Sequence, residues 1–159
     1  MSGILLIHVV ISLIAIISGI VVAAGFLTAD RHERSTLVYM VTTILTSLTG
    51  FLFPFHVVTP GIIVGSLCVL IFIPTALARY RFHLAGIWRP VFIIGAMALL
   101  FFNCLVLIVQ SFQKIPVLNA LAPNGNEPPI LAAQAALLVA CVLVGYFSIR
   151  RFRPTLLGA

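Results

Sequence analysis

The stretch FPFHVVTPGIIVG, residues 53–65, separates two apolar runs and holds two prolines, two glycines, one histidine and no charged residue. Its reading decides the fold. Either residues 36–78 cross a membrane twice and turn on the far side, or they form a re-entrant hairpin that leaves four spans or fewer. Both halves are long enough to cross, which favours two crossings. An uncharged turn is also what translocation requires, because each Arg or Lys resists transfer to the outer face. Pro54 and Pro60 end one helix and open the next, and Gly61 and Gly65 let the returning helix pack closely.

Composition supports lipid as the solvent. The 159 residues are 62% hydrophobic and 8% charged, with mean hydropathy +1.27, whereas soluble domains carry roughly a quarter charged residues. The net charge of +6 is read as an orientation signal and not as a nucleic-acid footprint. Apolar runs near 4–27, 36–55, 61–78, 90–112 and 130–149 predict five spans. Amides immersed in hydrocarbon must bond within their own segment, so the expectation is an all-α polytopic bundle forming a single transmembrane domain, 1–159.

Basic residues set the direction. Arg31 and Arg34 fall in the first loop, Arg79, Arg81 and Arg89 in the third and Arg150, Arg151 and Arg153 in the tail, against Lys114 alone in the fourth. The positive-inside rule then places the N-terminus outside and the C-terminus in the cytoplasm. The first span lacks a basic leading region and its cations follow the apolar run, the reverse of an export signal, so it is expected to remain in the mature chain. Cys68, Cys104 and Cys141 fall at mid-span, where thiols behave as small apolar groups, and neither a disulfide framework nor a metal site is expected.

Each span carries a stripe of small or polar residues at helical spacing. These are His8, Ser12, Ala15, Gly19 and Ala23; Thr42, Thr43, Thr46 and Gly50; Gly61, Gly65, Cys68 and Thr75; Ala96, Asn103, Gln110 and Lys114; and Gln134, Cys141, Gly145 and Ser148. Such stripes approach neighbouring helices rather than lipid. Four polar side chains, His8, His56, Gln110 and Gln134, fall in one outer layer, with His8 about 6 Å below the boundary. One reading has them lock the bundle. Another makes His8 and His56 axial ligands of a b-type haem, and a third makes the layer a quinone or lipid-headgroup pocket, with His56 and Gln110 as hydrogen-bond partners and Phe51, Phe53 and Phe55 as walls.

The spans contain no acid, which disfavours hydrolytic catalysis, and no repeat or midplane charge suggests a coupled carrier; no catalytic residue is assigned. On the basic side, Arg79, Arg81, Arg89 and Trp88 are headgroup anchors or, with the tail arginines, an anionic-lipid site. On the outer side, residues 113–129 (QKIPVLNALAPNGNEPP) form either an amphipathic turn through Ile115, Val117, Leu118 and Leu121 or a lid over the polar layer.

The segments HLAGIWRP and FFNCLVLIVQSFQKIPVLNALAPNGNEPP, within residues 82–134, resemble small multi-pass membrane proteins of bacterial genomes that carry no assigned activity. The resemblance implies a bacterial inner-membrane setting and brings no cofactor or catalytic residue. The expected function is a non-enzymatic subunit or assembly partner of a larger membrane complex, with other membrane subunits or a second copy of the chain as partners; the alternative is electron transfer through haem b or quinone at His8 and His56.

Overall fold

The computed structural model describes residues 3–52 and 60–152. Its regular structure is helical: α1 (Gly3–Thr28), α2 (Glu33–Gly50), α3 (Pro60–Ala76), α4 (Trp88–Lys114), the short α5 (Pro116–Leu121) and α6 (Pro128–Arg151). The expected all-α class is observed. Phe53, Pro54, Phe55, His56 and Arg153 lie outside the described residues, and with them most of the turn that opened the sequence reading.

Four helical segments are long and apolar enough to cross a membrane: Gly3–Thr28, Pro60–Arg81, Trp88–Lys114 and Pro128–Arg151. These are the marks of a multi-pass membrane protein. The second expected span is not among them. Its helix starts earlier than expected, at Glu33 and Arg34, and carries Ser35, Thr36, Thr42, Thr43, Thr46, Ser47 and Thr49 in its 18 residues. Two charges and a series of hydroxyls dilute its apolar content.

The loop between α1 and α2 is short because α1 closes tightly. Ala29 adopts a left-handed φ of 60° and the Asp30 amide donates to Gly25 O at 2.9 Å, which together form a Schellman cap. Helix α3 ends differently. Pro74 lies within it and supplies no amide, and the following turn, Leu77–Arg81, is π-helical, with the Phe82 amide donating to Leu77 O at 3.0 Å. His83, Leu84 and Gly86 then take positive φ and reverse the chain into α4.

Contacts at the helix ends show that the long helices alternate in direction. Phe26 of α1 meets Phe92 of α4 at 5.7 Å and Phe152, just beyond α6, at 5.0 Å, both edge-on. Arg79, after α3, pairs with Glu33 at the start of α2, and Arg89 of α4 donates to Ile149 O at 3.1 Å and to Phe152 O. The three arginine-bearing connections therefore gather at one end of the bundle.

Packing is densest in that half. Phe92, Ile93, Ala96, Leu99 and Leu100 of α4 are buried against Val22, Ala23 and Phe26 of α1 and Tyr39 and Met40 of α2. The expected α1 stripe faces inward, with Ala15, Gly19 and Ala23 buried and His8 and Ser12 half-buried. On α3 only Cys68 and Thr75 of the expected stripe are buried, Gly65 is half-buried and Gly61 is exposed.

Candidate functional site

The polar layer expected at the far end is built first from α1 and α2. His8 Nδ1 lies 2.9 Å from Thr49 Oγ1. The Thr49 hydroxyl also donates to Leu45 O at 2.7 Å, and a hydroxyl has one proton, so the imidazole supplies the donor in the His8–Thr49 bond. That arrangement assigns the Nδ1–H tautomer and fixes the ring plane. Ser12 Oγ donates to His8 O at 2.7 Å one turn further along α1.

The other expected members lie on other elements. Gln110 is exposed on α4 and Gln134 is half-buried on α6; among the described residues neither amide has a hydrogen-bond partner. His56 lies outside those residues, so the pairing with His8 is not described. Asn103, about two helical turns from Gln110 along α4, buries its amide nitrogen without a partner, and the hydroxyls of Thr43, Thr46 and Ser148 do the same among the described residues. The three cysteines are free thiols, and no group of three His, Cys, Asp or Glu side chains converges among the described residues.

The basic end is arranged differently from a row of outward anchors. The Arg79 side chain is 8% exposed and lies over the Phe92 ring while it pairs with Glu33. Arg89 caps the C-terminal carbonyls of α6. Both guanidinium groups are engaged within the chain. Trp88 stacks on Phe82 with centroids 3.9 Å apart and planes 5° apart, and Arg81 lies over the other aromatic partner, Phe82, at 5.9 Å. These last residues keep the aromatic and cationic character of headgroup anchors.

Between α4 and α6, α5 folds back on α4 through a bond from Asn119 Nδ2 to Phe112 O at 3.2 Å. Ile115, Val117 and Leu121 are exposed and Leu118 is half-buried. The carboxylate of Glu127 closes the turn that follows. It accepts from the Asn124 backbone N–H at 2.9 Å, from Asn124 Nδ2 at 2.8 Å and from the Asn126 N–H at 3.0 Å. The Asn124 backbone bond leads in holding this carboxyl below the ordinary glutamate range.

Sequence reasoning missed Tyr39, whose hydroxyl donates to Ala96 O at 2.7 Å from a side chain 1% exposed. A signal was present: a phenol in the middle of an apolar helix needs an acceptor, and Tyr39 lies one turn before Thr43 on the buried face. No family model, curated protein or solved structure matches the chain.

Proposed function

We propose that the protein is a non-enzymatic, five-span component of the bacterial inner membrane, with its N-terminus outside and its C-terminus cytoplasmic, that acts as a subunit or assembly partner of a larger membrane complex. The observation that carries this reading is on α6. Only Ile130, Gly145 and Ser148 are buried in its 24 residues. Ala132, Ala136 and Ala140 are all exposed, four residues apart, on the side of the helix opposite Gly145 and Ser148. Lipid contact has no need of small side chains, whereas a neighbouring helix approaches closely only where they occur.

The test is in-cell crosslinking from a photoreactive residue at Ala136, with Leu70 on α3 as an exposed control. A single stoichiometric adduct from position 136, to another membrane protein or to a second copy, supports docking. An adduct pattern identical to the control removes the basis for it. Topology is tested by cysteine reporters, with position 124 reacting from outside and position 83 protected.

A second reading, electron transfer through haem b or a quinone held by His8, His56, Gln110 and Gln134, is supported by the bond between His8 Nδ1 and Thr49. Ligating imidazoles are commonly fixed through their other nitrogen in this way. A dithionite-sensitive Soret band that is lost in His8→Ala would support haem. A colourless purified protein would reject haem and leave quinone to be tested by extraction.

A further inference from the structure

A groove of about 350 Å³ runs along the outer surface where α1 meets α2. Its walls are Ile14, Ile17 and Val21 of α1 and Val38 of α2, with Arg34 also lining it. The four apolar residues are between 38% and 64% exposed, so the rest of the chain leaves them uncovered. Ser18 and Ser35 complete the lining, and Ser18 donates its hydroxyl to Ile14 O at 2.6 Å, which satisfies it within α1.

The charges nearby select the occupant. Glu33 pairs with Arg79 and with Arg31, the latter at 3.8 Å, and Asp30 lies 3.8 Å from His32. Both local acids are therefore engaged, and Arg34 has no ion-pair partner among the described residues. It lies in the first turn of α2, where the helix dipole also favours negative charge. From Ile14 to Val21 the α1 wall extends about 10 Å along the helix, enough to hold several methylenes of an acyl chain.

We infer that the α1–α2 groove is a binding site for an anionic phospholipid, with an acyl chain along Ile14, Ile17, Val21 and Val38 and the phosphate at the Arg34 guanidinium. Arginine suits the phosphate because its planar fork offers paired donors. This site is separate from Arg79, which pairs with Glu33, and from Arg89, which donates to carbonyls at the end of α6.

The experiment is native mass spectrometry of the full chain in detergent with phosphatidylglycerol or phosphatidylcholine of matched acyl length. One phosphatidylglycerol is expected to remain bound per chain, in preference to phosphatidylcholine. Arg34→Gln should cut that retention about fivefold, the equivalent of about 1 kcal/mol per basic group at an anionic surface. Ile17→Trp, at a position 64% exposed, should lower retention of phosphatidylglycerol by filling the groove. Arg151→Gln should leave retention unchanged. Equal retention of the two lipids, undiminished retention in both Arg34→Gln and Ile17→Trp, or occupation by a second copy of the chain in place of lipid would overturn the assignment.

Discussion

Tyr39 and Ala96 are joined across the α2–α4 boundary by a phenol-to-carbonyl hydrogen bond of 2.7 Å, buried within the bundle. The ring reaches Ala96 by passing Gly19 of α1. A Cβ at Gly19 would stand 2.8 Å from the Tyr39 ring and 2.8 Å from Leu100 Cδ1. Three helices thus depend on one aromatic side chain and one missing methyl group. Tyr39→Phe should lower stability by about 1 kcal/mol, the net value of one such bond. Gly19→Leu should cost more, about 1–3 kcal/mol, because the added side chain overpacks an occupied site. Denaturant unfolding in detergent reads both, and a Gly19→Leu protein as stable as the native one would contradict the packing described.

Gly95 and Thr75 form a similar contact between α4 and α3. A Cβ at Gly95 would collide with the Thr75 side chain, which is fully buried and bonds its own helix through Ile71 O at 2.7 Å. Gly95→Ala should destabilise the bundle by about 1–3 kcal/mol. Thr75→Ala removes Oγ1, the atom most in the way, together with Cγ2 and keeps Cβ, so it should recover part of that loss. A double-mutant cycle checks this, with a coupling above about 0.5 kcal/mol expected; additive effects would mean that the two positions do not touch.

Much of this architecture was legible because lipid imposes simple rules. Long apolar runs had to be helices, and the arginines of three connections meet at one end, as Arg79, Arg89 and the α6 terminus show. The α1 stripe from His8 to Ala23 was readable from spacing alone. Less was readable where polarity serves packing. In α2, Thr36, Thr43, Thr46 and Ser47 are buried while the helix as a whole is too polar to count among the four apolar spans. Single-residue spacing also gave no rotation for Gln110, which is exposed on α4. Nor does a sequence show which arginines spend their donors on backbone carbonyls, as Arg89 does.

Arg89 has a local consequence. Its guanidinium occupies the carbonyls of Ile149 and Phe152, groups that a helix end leaves without amide partners. Arg89→Ala should therefore loosen the last turn of α6 without unfolding the bundle. Hydrogen exchange at residues 149–152 is expected to quicken about tenfold, which corresponds to about 1.4 kcal/mol, near the lower value for a bond to a charged donor. Arg89→Lys should restore part of the protection. Unchanged exchange in Arg89→Ala would show that the cap does not contribute.

The turn before α6 supplies a pH-dependent prediction. Glu127 is half-buried in the turn, and its carboxylate is held below the ordinary glutamate range first by the Asn124 backbone N–H and further by Asn124 Nδ2 and the Asn126 N–H. A lowered folded-state value means that the charged form is favoured by the folded turn. The stabilisation is complete above the unfolded glutamate value and declines as pH falls through the lowered folded value. Carbon-detected NMR of Glu127 should show a titration midpoint below that of an unstructured glutamate. Asn124→Ala removes the side-chain donor but keeps the backbone N–H, so the midpoint should rise part of the way back. Glu127→Gln should leave local exchange at residues 124–127 independent of pH across the same acidic window once the intrinsic rate is corrected for. A native midpoint at or above the ordinary value would show that these bonds do not persist in solution.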